Sequence, residues 1–218
     1  MSPADSHDDA TPVTISKTRL EAFSDGVFAI AITLLVLELT IRPRGDALHR
    51  VFDAWPSYFA YVVSFLTIGA AWLAHTWITD NLARADSLLL RINLLLLLVV
   101  AFLPFPTRLV AESLRNTRDE RVFVTLYGIT LLVIRLLLAL IDRYATREGL
   151  YARNGDADVD LQTDRRKLLP VTGGYLVAIG VGLAAPTVGV FIYFALAVFL
   201  IVPFRALWRL FVQPDRAH

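Results

Sequence analysis

Arg19-Leu20-Glu21-Ala22-Phe23-Ser24-Asp25 opens an apolar run that continues to Ile41, and this segment is the strongest indication of the fold class. The run is long enough for a helix that crosses a bilayer, which needs about 20 mostly apolar residues. A cation, a hydroxyl and a carboxylate lie at its beginning. Ionisable groups at membrane depth are costly, so they are usually paired, and they often mark an ion path or the structure that supports one. The stretch therefore predicts a membrane helix with a functional polar end.

The composition extends this prediction to the whole chain. Of 218 residues, 56% are hydrophobic, and the mean hydropathy is +0.57, so an all-α, polytopic membrane protein is expected. The net charge of +1 argues against a large nucleic-acid-binding surface. The chain has no Cys, which excludes thiol catalysis, disulfides and thiolate metal sites. Only His49 and His75 lie outside the tails, too few for a histidine-rich metal site, so we expect no metal and no cofactor.

The apolar runs divide the chain into six candidate spans. We predict a disordered tail over residues 1–16, a six-helix membrane domain over residues 17–212, and a C-terminal tail over residues 213–218. The charged segment from Asp142 to Lys167 is expected to be a solvated loop. The expected spans are Thr18 to Ile41, Pro56 to Thr79, Leu88 to Leu109, Val122 to Ile141, and two that share the segment from Leu168 to Phe211 and turn at Pro186.

The distribution of Lys and Arg among the loops indicates the orientation. With the N-terminus in the cytoplasm, 13 of these residues face the cytoplasm and seven face the other side. Because basic residues favour cytoplasmic loops, both termini are expected there.

Polar side chains from three spans are expected at a similar depth. Arg19, Ser24 and Asp25 lie in the inner part of the first span, Trp72 and His75 near the inner end of the second, and Asn93 near the inner start of the third. Alone in hydrocarbon each would be costly, whereas together they can satisfy one another. The simpler interpretation is a set of unrelated interfacial residues: an aromatic-belt Trp, a snorkelling Arg and a capping Asp. The helix continues well past Asp25, which favours the polar cluster.

The outer part of the first span carries a stripe of residues spaced by three and four. Ile30, Thr33 and Leu37 share this stripe with Gly26. Around an axis of several copies, Ile30 and Leu37 would form apolar rings, and such rings can control ion passage by dewetting. An ordinary helix-packing seam explains the same spacing, and the spacing alone favours the seam. Glu38, near the outer end, is either simply solvated or part of a vestibule that concentrates cations.

Four short motifs resemble the signature of the transmembrane protein 175 family of endosomal and lysosomal potassium channels, which has bacterial members. The first is Arg19-x-x-x-Phe23-Ser24-Asp25, and the second is Trp72-x-x-His75. The third and fourth are Asn93-Leu-Leu and Leu103-Pro104-Phe105-Pro106-Thr107. They occur in the family's order, and the resemblance covers about residues 17–110.

The resemblance implies a cation channel that prefers potassium to sodium. Bacterial members have six helices per chain and form homotetramers in which the first helices line the pore. It implies that Ile30 forms the main constriction and that Thr33 and Leu37 face the pore. It also implies that a network braces the pore helices, formed by Arg19, Phe23, Ser24, Asp25, Trp72, His75 and Asn93. A bacterial inner-membrane location follows, with monovalent cations and the lipid bilayer as the other partners.

Two other functional classes remain as alternatives. A secondary cation transporter would have interrupted helices and an acidic residue near the middle of the membrane, and the Gly/Pro-rich turn at Pro186 is the only hint of one. A membrane enzyme would need more than an acid–base pair of His75 and Asp25, because no nucleophile or metal set accompanies them. Within the channel class, a weakly selective or proton-permeable pore is compatible with the same residues.

Overall fold

The computed structural model describes residues 16–39, 46–114, 120–152 and 157–202; residues 47, 50 and 157–169 are described by their backbone alone. The predicted tails, apart from Ser16, lie outside this part of the chain, as do the ends of the first and last expected spans. The described residues form eight helices and one short 3-10 turn. These are α1 Lys17–Leu34, the 3-10 turn Leu35–Glu38, α2 Ala47–Asp53, α3 Trp55–Asp80, α4 Ser87–Phe102, α5 Pro104–Ser113, α6 Glu120–Arg147, α7 Ala157–Ala184 and α8 Pro186–Ile201.

Four stretches are long and apolar enough to cross a membrane. They are Lys17–Glu38, Trp55–Asp80, Ser87–Ser113 and Glu120–Arg147. The all-α membrane fold is therefore confirmed. The apolar helices Pro170–Ala184 and Pro186–Ile201 are shorter, so a total of six spans stays a prediction. The expected turn between them is present, because α7 ends at Ala184 and Pro186 begins α8.

The third expected span, Leu88 to Leu109, lies within one spanning stretch, Ser87–Ser113, but this stretch is not a single continuous helix. It divides into α4 and α5 at Leu103. Pro104 and Pro106 lack the backbone N–H groups that would continue the α4 hydrogen-bond ladder. The Leu103 N–H instead bonds the Val100 carbonyl at 3.1 Å, in a 3-10-type closing turn. Pro104 occupies the first turn of α5, where a missing donor costs nothing.

The expected loop from Asp142 to Lys167 is also wrong over most of its length. Helix α6 continues to Arg147, and α7 begins at Ala157. Gly149, at φ 60°, stops α6 in a Schellman motif, in which the Leu150 N–H reaches the Ala145 carbonyl at 2.8 Å. Charged residues indicate where a helix leaves the membrane, but they do not end the helix, because the helix keeps its own backbone hydrogen bonds in water.

A short backbone strap joins the end of α3 to the chain after α6. The Ala83 N–H donates to the Leu150 carbonyl at 2.8 Å, and the Ala152 N–H donates to the Asn81 carbonyl at 2.9 Å. Beside it the Tyr144 hydroxyl donates to Asp86 Oδ2 at 2.6 Å. The strap fixes the α3–α4 corner to α6 at one end of the helix bundle.

The bundle is centred on α6, which packs against α3, α4, α5, α7 and α8. Its interior contains a group of buried polar side chains that bond to one another. Ser64 of α3 bonds Thr107 of α5 at 2.7 Å and the Tyr127 hydroxyl of α6 at 2.9 Å, and all three side chains are buried. Helix α1 lies at the side of the bundle, against α3 and α4.

Candidate functional site

Helix α1 has one buried face and one exposed face. Leu20, Ser24, Phe28 and Ala31 are buried at intervals of three and four residues, which is the spacing of a single helix face. That face contacts α3 and α4. The other side of the helix touches no other part of the described chain over most of its length, so it is free to meet a second molecule or a water-filled path.

A polar cluster lies on the buried side of α1, where three helices meet. The Asn93 amide nitrogen of α4 donates to Ser24 Oγ at 3.0 Å. The same amide's oxygen lies 2.8 Å from His75 Nε2 of α3, which in this arrangement carries the proton and donates it. Ser24, His75 and Asn93 are each at most 2% exposed. The cluster thus satisfies polar groups that would be costly in isolation at this depth.

A second contact ties the exposed edge of α1 to α3. Trp72 Nε1 donates to Asp25 Oδ1 at 2.8 Å, and both side chains are partly open to the surroundings. Because Ser24 and Asp25 are adjacent, a single turn of α1 is held by both of its neighbours. The structure therefore brings together five of the seven residues expected in the network.

Arg19 and Phe23 are not part of these contacts. Phe23 is 56% exposed, and Arg19 is also exposed, with no hydrogen bond or ion pair from its side chain to another described residue. Both lie on the side of α1 that faces away from the bundle. A role for them in the network stays a prediction.

Two residues of α1 make contacts near the polar cluster or with the end of α3 that were not predicted from the sequence. The Phe28 ring packs on the His75 ring with centroids 5.5 Å apart, which covers the imidazole on the α1 side. Lys17 Nζ donates to the Asp80 carbonyl at 2.7 Å and lies 3.5 Å from Glu21 Oε1. Phe28 could have been found from its spacing, since it lies one turn beyond Ser24. The Lys17 contact could not, because it depends on where α3 ends.

The stripe of Ile30, Thr33 and Leu37 lies on the exposed side of α1. Ile30 is 60% exposed and Leu37 is 71% exposed. The Thr33 hydroxyl donates to the Ile30 carbonyl at 2.8 Å, so its oxygen remains able to accept a further hydrogen bond. Leu37 and the half-buried Glu38 belong to the 3-10 turn rather than to the α-helix proper.

The chemistry available on this side of α1 is limited. Ile30 and Leu37 offer only apolar surface, and Thr33 offers one hydroxyl. Among the described residues, no group of three or more His, Asp or Glu side chains is placed to hold a metal ion. What the arrangement can provide is an apolar surface of fixed position, held from behind by hydrogen bonds.

These features define a multi-pass helical membrane protein whose first helix is fixed on one face and open on the other. The sequence profile of the family described as "Endosomal/lysosomal potassium channel TMEM175" matches residues 19–104. A potassium channel of Chamaesiphon minutus is 39% identical over 189 residues, which cover 83% of this chain and 91% of that protein. The chain therefore belongs to the TMEM175 family.

Further comparisons agree with this assignment. The crystal structure of a lysosomal potassium-selective channel TMEM175 homolog from Chamaesiphon minutus superimposes with a TM-score of 0.75 at 33% identity, covering 84% of this chain and 95% of that one. A potassium channel of Streptomyces collinus is 44% identical over 135 residues, 60% of this chain and 65% of that protein's length. A Gallus gallus protein named an endosomal/lysosomal proton channel is 35% identical over 117 residues, 49% of this chain and 23% of its own length. These relatives are ion channels.

Proposed function

We propose that the chain forms a potassium-permeable channel in which the α1 helices of four copies surround the pore. Ile30 and Leu37 would form apolar constriction rings, with a ring of Thr33 hydroxyls between them. Conduction would be passive, so no cofactor is required. The channel would lie in a bacterial cell membrane with both termini in the cytoplasm.

The observation that carries this proposal is the exposure of the α1 stripe. An apolar stripe on the side of the fold that no other part of the described chain covers needs an explanation. Ile30 and Leu37 are more exposed than most apolar residues of the bundle. The names of the relatives, potassium channels in two bacteria, add further support.

The polar cluster would act as a brace for the pore. An apolar constriction controls ion passage through its diameter, because dewetting depends steeply on how closely the side chains of one ring approach one another. Hydrogen bonds from Asn93 and Trp72 hold the turn of α1 that precedes Ile30. Residues of the brace are therefore expected to affect conduction although they do not line the path.

Glu38 would stand at the outer mouth of the pore. It is half-buried and lies one residue beyond Leu37, at the end of the 3-10 turn. Four such carboxylates around an axis would raise the local concentration of cations. The four carboxylates would increase conductance at low salt. This effect would be lost at high salt, because the ionic atmosphere screens exposed charges over about 10 Å at 0.1 M.

The experiment that tests the proposal is a reversal-potential measurement on the purified protein in a planar bilayer. Opposed potassium and sodium gradients are applied across the membrane. A unitary current that reverses near the potassium equilibrium potential would support a selective channel. A unitary current that reverses near zero would retain the channel and remove the selectivity.

Two alternatives have distinct outcomes in the same apparatus. A proton-permeable channel, suggested by the name of the chicken relative, would reverse near the proton equilibrium potential when a pH gradient is imposed. A secondary transporter would give no unitary current, and its slow flux in vesicles would depend on a second ion. The break between α4 and α5 is a helix interruption of the kind that transporters use. Buried Pro104 and Thr107 at this break argue for a packed corner rather than an ion site.

A further inference from the structure

Helix α2 presents an apolar face that no other part of the described chain covers. Leu48, Val51, Phe52 and Trp55, at spacings of three, one and three residues, fall on one side of this helix and its junction with α3. Their exposed fractions are 68%, 47%, 74% and 51%. His49 and Asp53 lie on the opposite side and are also exposed. The segment is therefore amphipathic, with its apolar face unused inside the subunit.

The position of α2 in the chain sets its depth in the membrane. It lies between the spanning stretch that ends at Glu38 and the span that begins at Trp55. Consecutive spans return to the same membrane surface, so α2 is held at that surface. Its seven residues extend only about 10 Å, far less than the hydrocarbon thickness. It cannot cross the bilayer, but it can lie along it.

The chemistry of the exposed face fits the interfacial region of a bilayer. Amphipathic helices of this kind bury their apolar face a few ångströms into the boundary between headgroups and acyl chains. Trp is enriched at that boundary because its ring is apolar and its N–H is polar. Trp55 begins α3, and Val62 and Leu73 continue the same side of α3 through the membrane as exposed apolar residues. The apolar face of α2 is thus continuous with a lipid-accessible side of a spanning helix.

A second copy of the chain is a weaker candidate for the same surface. The surface proposed to meet other copies carries Ile30 and Leu37, which lie in α1 and the 3-10 turn after it. The apolar face of α2 instead extends a surface of α3. A protein partner would also leave His49 and Asp53 with no evident role, whereas a bilayer surface places them in water.

We infer that α2 is a membrane-interface helix that lies in the lipid headgroup region and anchors the connection between the first two spans. Leu48, Val51, Phe52 and Trp55 contact lipid, and His49 and Asp53 face water. This inference does not depend on which ion the protein conducts.

The test is site-directed spin labelling of the protein reconstituted in vesicles of phosphatidylcholine and phosphatidylglycerol. The chain has no native Cys, so single cysteines can be labelled without removing others. Phe52→Cys and Leu48→Cys report on the apolar face, and His49→Cys and Asp53→Cys are matched controls on the polar face of the same helix. All four sites are exposed, so each label is accommodated without disturbing the core. Collision with oxygen reports lipid, and collision with a water-soluble nickel chelate reports solvent.

We expect the ratio of oxygen to nickel accessibility to be several-fold higher at positions 48 and 52 than at positions 49 and 53. Equal, high nickel accessibility at all four positions would mean that the helix is surrounded by water and would overturn the inference. Exclusion of both reagents at positions 48 and 52, with dipolar broadening between labels, would identify a contact between copies and would also overturn it.

Discussion

Ser24 and Asp25 are neighbours in the chain, yet they bond to different helices. Ser24 accepts from Asn93 of α4, and Asp25 accepts from Trp72 of α3. Hydrogen bonds to buried groups contribute little net stability but cost more when one partner is removed. The value of this pair at the residue scale is therefore positional, because it fixes the rotation of α1 about its own axis.

His75→Ala should destabilise the protein and weaken its assembly. The change leaves the buried Asn93 oxygen without its donor, at a cost of about 1–3 kcal/mol, and it also opens a space against Phe28. The measurement is thermal unfolding in detergent together with oligomer size. Thr76→Val is the matched control, because the Thr76 hydroxyl is buried one residue away without a hydrogen-bond partner. An unchanged melting temperature and oligomer size for His75→Ala would count against the brace.

Ile30→Asn should raise sodium permeability relative to potassium several-fold. The amide would hydrate the proposed constriction, and a hydrated ring discriminates less between cations. The reversal potential under opposed gradients should move towards zero. Leu98→Asn is the control, since Leu98 is similarly exposed at 66% but belongs to α4. If Ile30→Asn conducts with its ion preference unchanged, Ile30 does not set selectivity.

At the scale of elements, α6, α7 and α8 cross at glycines. A Cβ at Gly128 would overlap the Tyr193 hydroxyl and lie 2.8 Å from Ile179 Cγ1. A Cβ at Gly189 would lie 2.7 Å from the Cα of Gly182. Small residues let membrane helices approach closely, where packing replaces the hydrophobic effect as the driving force.

Gly128→Ala should lower stability by about 1–3 kcal/mol, because overpacking forces neighbouring side chains to move. Gly180→Ala, in α7, is the matched control. A Cβ there meets nothing within 4 Å, and alanine is the better helix former, so its stability should be unchanged or slightly higher. Unfolding of both variants in mixed micelles against denaturant measures the difference. Equal stability of the two variants would show that the crossing is looser than the structure indicates.

Hydrophobic runs predicted the helices that are apolar throughout, and they failed where backbone chemistry intervenes. The first span and the turn at Pro186 were visible because a long run and a proline are local signals. The break at Leu103 was not predicted, although Pro104 and Pro106 follow it in the sequence. The apolar residues on both sides keep the average hydropathy of this segment high. The contacts of Ser24, His75 and Asn93 could be predicted from the sequence, because this prediction required only that the helix ends be aligned in depth. Those of Lys17 and of the strap required the actual geometry of the α3–α4 corner.

For the whole molecule, the proposed assembly makes a mass prediction. Each chain is 24.3 kDa, so a native mass near four times that value is expected in mild detergent. Leu37→Cys, in the 3-10 turn that follows α1, should form disulfide-linked pairs on oxidation, because the stripe would surround a narrow axis. Leu98→Cys on α4, where the leucine is 66% exposed against 71% for Leu37, should not. A native mass of one or two chains, or equal crosslinking of both variants, would rule out the proposed arrangement.

The shallow burial of α1 has a consequence for biosynthesis. In the first spanning stretch, 28% of the most apolar window is buried inside the subunit, against 44% in each of the next three. This helix is also translated before α3 and α4, which hold it through the hydrogen bonds of the polar cluster. In the proposed tetramer its remaining surface is covered only when other copies arrive. A newly made chain would therefore carry an apolar helix that stays partly uncovered until the fourth copy joins.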